Sequence, residues 1–172
     1  MLLVKTFTCI CMLTIFIEDL KYRAVHWWLF PLLLASCWYM ASEHDLQQPI
    51  NNLLWNTIFL ASQFLLLTIY FSLKRGQLTS VFKGLFGIGD LFFLLSIAVY
   101  FSFLNYLLFY VASLLLIVCF ELFWRINAKN QERQVPLAGY QSLLMVILLF
   151  LEEMNLGVYA STDDRWLISY FF

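Results

Sequence analysis

Three acids stand in or beside long apolar runs of this chain: Asp19, Asp90 and Glu121. A carboxylate at membrane depth is costly, so each one calls for a functional account. Two carboxylates brought together have a specific use. Like charges a few ångströms apart cannot both ionise cheaply, so one pKa rises and the pair shares a proton. The ionised member then takes a proton from water while the protonated one polarises a carbonyl, which is aspartic-protease chemistry. Asp90 ends the run Phe86-Gly87-Ile88-Gly89-Asp90. Glycines just ahead of an acid leave room for an extended peptide to approach the backbone. A glycine-containing turn with Asp90 as a helix cap is the plainer alternative.

The elements that would position these acids follow from composition. The 172 residues are 63% apolar and 12% charged, with a mean hydropathy of +0.82. Soluble domains run about 45–50% apolar and about 25% charged. A polytopic, all-α membrane protein is the expected class, and a net charge of −1 gives no basic surface for nucleic acid. A bilayer crossing needs about 20 apolar residues. The expected segments run Met1 to Ile17, His26 to Ala41, Leu53 to Leu73, Leu91 to Phe103, a fifth to Trp124, and Leu137 to Leu151. Glu18-Asp19 should stop the first, and Asn105-Tyr106 should turn the chain between the fourth and fifth. Without a small-residue cleavage site after it, the first segment reads as a retained helix and not a signal peptide.

Charge sets the orientation. Lys21, Arg23, Lys74, Arg75, Lys83, Arg125, Lys129 and Arg133 fall in loops on one side, leaving Lys5 and Arg165 on the other. The opposite loops carry Glu43, Asp45, Glu152, Glu153, Asp163 and Asp164. By the positive-inside rule, about six helices with both termini outside are expected, the basic loops facing the cytoplasm. Asp19 and Asp90 then share one membrane face at similar depth. Trp27, Trp28, Trp55 and Trp124 suit the headgroup layer. Residues 1–151 form the expected transmembrane domain, and 152–172 an amphipathic tail.

Other residues take structural readings. Cys9, Cys11, Cys37 and Cys119 form no CxxC pair and read as small buried hydrophobes, so no metal site is expected. Glu121 precedes Arg125 by four residues, an ordinary helix-end pair. Glu18 would face away from Asp19 as a solvated loop acid. His26 is an interfacial histidine with the capacity to sense pH, and His44 lies between Glu43 and Asp45 in an outside loop.

Three blocks together sharpen the reading: Asp19-Leu20-Lys21-Tyr22-Arg23-Ala24-Val25, Lys83-Gly84-Leu85-Phe86-Gly87-Ile88-Gly89-Asp90, and Gln134-Val135-Pro136-Leu137-Ala138-Gly139-Tyr140. In order, spacing and topology the set resembles the type IV prepilin peptidases, membrane aspartic proteases of the GxGD kind. The resemblance implies Asp19 and Asp90 as the catalytic pair and Gly87 and Gly89 as the motif glycines. It also implies Arg23 in the basic loop after the first acid and a structural role for Pro136 at the entry to the last helix. The implied substrate is a prepilin-like protein with a short basic leader, cleaved at the cytoplasmic face of a bacterial inner membrane without cofactor or metal. The chain departs from the family at Phe92, where many members have lysine, and at Val25-His26-Trp27, where Ile-Pro-Asn is usual. It also lacks the cysteine-containing insert of methylating members. The alternative is a catalytically silent relative, or a small membrane protein of assembly or transport. A transporter would more often place its acids at mid-bilayer.

Overall fold

The structure is a computed structural model that describes residues 2–42, 46–75, 87–127 and 135–154, with side chains described except at 75 and 124–127. These residues form six α-helices and no strand: α1 (Leu2–Tyr22), α2 (Leu29–Ala41), α3 (Gln48–Arg75), α4 (Ile88–Ile97), α5 (Phe103–Asn127) and α6 (Leu137–Glu153). The expected all-α class is present. Within α3 and α5, Gln48–Lys74 and Phe103–Phe123 are long and apolar enough to cross a membrane. By contrast α4, with 10 residues, rises only about 15 Å, half the thickness of a hydrocarbon core.

Helix directions follow from cross-helix bonds. Near its start, α1 pairs with the end of α6 through Lys5 and Glu153 (2.7 Å), and near its end it meets the start of α6 at Gly139. The two helices are antiparallel. Ser96 Oγ of α4 donates to the Phe30 carbonyl of α2, and the Phe30 and Phe92 rings lie 5.8 Å apart, so α2 and α4 begin at the same end. Met12, Ile15, Leu33, Cys37, Phe93, Ile97 and Met145, from α1, α2, α4 and α6, fill the shared core. Lys21, Arg23 and the α3 terminus with Lys74 therefore gather at the end where α4 and α6 start. Lys5, Glu152 and Glu153 lie at the other, in keeping with the charge bias read from the sequence.

Four sequence expectations are corrected. Glu18 and Asp19 do not stop the first helix. They sit inside α1, which runs on to Tyr22 and ends in a left-handed Arg23 (φ 55°). Carboxylates near a helix C-terminus oppose its dipole by only about 0.3–1 kcal/mol, less than the bonds described below supply. The third helix starts at Gln48, with Pro49 in the first turn, where its missing N–H costs nothing. Trp55 consequently lies two turns inside α3. The turn between α4 and α5 spans 98–102, while Asn105 and Tyr106 are buried in the first turn of α5.

That turn, Ala98-Val99-Tyr100-Phe101-Ser102, is buried and has no glycine, proline or aspartate to announce it. Buried carbonyls must find donors, and α3 supplies them. Asn56 Nδ2 donates to the carbonyls of Ala98 (2.7 Å) and Phe101 (2.9 Å), and Asn52 Nδ2 to that of Val99 (3.4 Å). Finally, Cys11 and Cys37 are buried as expected, but Cys119 is exposed on α5.

Candidate active site

Asp90 is the third residue of α4, whose N-cap is Gly87. Its Oδ2 accepts the Gly87 N–H at 3.2 Å, the acid half of a capping box. The sequence predicts Asp90 as the cap of a helix starting near Leu91; instead the helix starts at Ile88, Gly87 is the N-cap, and Asp90 caps it from the third position. The other carboxylate oxygen, Oδ1, accepts the Ala138 N–H at 2.7 Å. Asp19, 8% exposed, accepts the Gly139 N–H on Oδ2 at 2.7 Å. Ala138 and Gly139 are consecutive in the first turn of α6, where N–H groups have no partner within the helix. Adjacent amide nitrogens are at most about 4 Å apart along the chain, so the two bound oxygens lie within about 10 Å of one another. Two acids 71 positions apart thus meet on the N-terminus of one helix.

The glycines divide. A Cβ on Gly139 would stand 3.1 Å from Asp19 Oδ2 and 3.2 Å from Asp19 Cβ. Glycine there lets α1 and α6 close until the amide reaches the carboxylate. A Cβ on Gly87 would meet Asp90 Oδ2 at 2.8 Å, too close to stand without movement. At Gly89 a Cβ would make only ordinary contact with the Phe30 ring, at 3.7 Å. Of the two motif glycines, Gly87 is the one held sterically against the acid. Pro136 is the N-cap of α6, directly ahead of the turn whose amides bind both carboxylates. Sequence reasoning placed the Pro136 block at the site but missed Ala138 and Gly139 as the donors. The signal was a small pair one residue beyond the proline, on a helix of mostly bulky residues.

Both carboxyls lie at helix ends, outside the apolar spans. Burial pushes Asp90 up to about 6, and the nearby Asp19 charge adds to the rise, while the Ala138 and Gly87 amides pull the other way. Burial also raises Asp19, opposed by the Gly139 amide and the Arg23 charge. One helix N-terminus carries roughly half a positive charge, too little to offset two carboxylates. The arrangement favours one proton held by the pair, with Asp90 the readier carrier.

Other expected residues are placed as follows. Glu18 is not a solvated loop acid: its side chain is 15% exposed and bonded to His26. Phe92 packs on Phe30 beside the acid. Glu121 lies on α5, but the Arg125 side chain, His44 with its acidic neighbours, Lys83 to Phe86, and the tail beyond Met154 fall outside the described residues. No three His, Cys, Asp or Glu side chains gather at metal-binding distance among the described residues. An apolar cavity of about 260 Å³ between α5 and α6 is lined by Phe109, Leu116, Leu144 and Leu148, away from the acids.

No family model, no curated protein and no solved structure matches the chain.

Proposed function

We propose that this chain is a membrane aspartic endopeptidase of the prepilin-peptidase kind, with Asp19 and Asp90 as its catalytic pair. The observation that carries the reading is the seating of both carboxylates on consecutive amides of α6. That placement joins the three sequence blocks of the resemblance at one point. In the reaction, ionised Asp19 takes a proton from water as its oxygen attacks the scissile carbonyl carbon. Protonated Asp90 donates to the carbonyl oxygen, giving a neutral tetrahedral diol. Collapse breaks the C–N bond, the amine nitrogen leaving with a proton from Asp19 as Asp90 recovers its own. The reading includes six helices in the bilayer, both termini outside and the acid pair at the cytoplasmic face of a bacterial inner membrane. The substrate would be a prepilin-like protein with a short basic leader.

Supporting the reading are the matching end for both acids, the raised Asp90 and the steric fit of Gly87 and Gly139. The test is co-expression with a prepilin whose basic leader ends in glycine, read as a mobility shift on a gel. Leader removal dependent on this chain supports the assignment. An unshifted substrate across a panel of such prepilins would remove it.

A further inference from the structure

Between α1 and α2 the chain makes a short strap, Arg23-Ala24-Val25-His26-Trp27-Trp28, and one carboxylate holds it down. Glu18 Oε2 accepts the His26 backbone N–H at 3.0 Å, and Glu18 Oε1 lies 2.8 Å from His26 Nδ1. Adjacent residues on a helix point about 100° apart. Asp19 therefore reaches α6 while Glu18, one residue earlier, reaches the strap. The result is a fold-back: residue 26 is tied to residue 18, although the helix between runs on to Tyr22. Arg23 must reverse the chain within that closed loop, and it does so at φ 55°, a conformation L residues hold when surroundings impose it. Its N–H donates to the Asp19 carbonyl at 3.1 Å. Val25 packs against the core, while His26, Trp27 and Trp28 face outward.

The geometry points to Glu18 as a positioning residue, one that pins the strap through His26 and so keeps Arg23 beside Asp19. It rests on the catalytic reading above only in making Asp19 matter; the latch itself is a matter of geometry. Around Asp19 the described charged or titratable groups are Glu18, Lys21, Tyr22 and Arg23 on its own helix and turn, His26 on the strap, Asp90 on α4 and Tyr140 on α6; α2 carries no charged residue. Of these, Arg23 is the cation whose charge acts on the Asp19 carboxyl. A released strap lets the left-handed turn relax and that charge withdraw.

The test compares Glu18→Ala with Glu18→Gln in the full chain in lipid nanodiscs. Both lose the same negative charge, but glutamine still accepts the His26 N–H and, with the other ring tautomer, still bonds Nδ1. The readout is the aspartic acid carbonyl stretch in the infrared, titrated with pH and needing no substrate. The lower aspartate midpoint should lie about half a unit or more higher in Glu18→Ala than in Glu18→Gln, a roughly threefold change in proton affinity. Adding Arg23→Met to both should erase the difference. Should Glu18→Ala not fold, His26→Ala against His26→Asn makes the same comparison, asparagine restoring a donor to the carboxylate. Coincident titrations within either pair would overturn the latch. Cleavage assays of the same proteins separate the two ideas. A split titration without cleavage by the unmodified chain keeps the latch and removes the protease, and cleavage with coincident titrations does the reverse.

Discussion

The two ends of the α1–α6 pair treat their acids in opposite ways. At the far end Glu153 accepts from the Lys5 ammonium at 2.7 Å and Glu152 from the Tyr100 hydroxyl at 2.9 Å. Glu153 has a full countercharge, and each acid has a side-chain donor of its own. At the near end Asp19 and Asp90 are seated on backbone amides of one helix turn, beside one another. A fold that needed only to cross-brace two helices would do so in the first way. The second seats two carboxylates on backbone dipoles with burial raising the pKa of both, an arrangement with chemical use and a cost in stability.

The widest separation between the ends should appear in cleavage. Asp19→Asn or Asp90→Asn should abolish leader removal, whereas Glu152→Gln or Glu153→Gln should leave most of it; a gel-shift assay on the four variants decides. Loss of cleavage on changing the far-end acids would dissolve the contrast.

The glycines sharpen it next. Gly139→Ala places a Cβ against Asp19 and should cut cleavage by roughly tenfold or more, the scale of a misplaced catalytic group. Gly87→Ala should do likewise by displacing the Asp90 carboxylate. Gly89→Ala should come within about threefold of the unmodified chain, since its Cβ finds ordinary room against the Phe30 ring. Initial rates on a leader peptide give the ranking.

A smaller effect is thermal. Because Asp90 titrates near 6 in the folded chain, against an ordinary value near 3.8, the folded state binds more protons between those values. Stability should therefore fall as pH rises from about 4 to about 6 and stay low above it. Asp90→Asn removes that penalty but, with a single acceptor oxygen, keeps only one of the Ala138 and Gly87 bonds, so it should melt close to the unmodified chain at pH 7 and show a flatter pH dependence. Differential scanning fluorimetry in detergent measures both. At the far end Lys5→Met should lower stability by less than about 1 kcal/mol, the range for a partly exposed ion pair, with cleavage unchanged.

What the sequence disclosed and what it hid have a common cause. Asp19, Asp90 and Gly87 were legible because an acid after an apolar run is rare and a Gly-x-Gly-Asp spacing is local. The charge asymmetry of the loops placed both acids at one end without any contact being known. The 98–102 turn was hidden because its donors, Asn52 and Asn56, lie on another helix more than forty residues away. Glu18 looked like a loop acid for the same reason. Its partner is eight residues on, beyond the three- and four-residue spacings that pair side chains along one helix. Amide donors carry no residue signature, so Ala138 and Gly139 announced themselves only by being small.

The central claim is that Asp19 and Asp90 act as one unit on the turn of α6. Its most direct test is a four-corner comparison of leader cleavage: the unmodified chain, Asp19→Asn, Asp90→Asn and the double variant, each matched for membrane expression. Residues that act together are strongly non-additive, so each single change should bring the rate to the level of the double. Cleavage that survives in Asp90→Asn, or single losses that multiply in the double variant, would contradict the account.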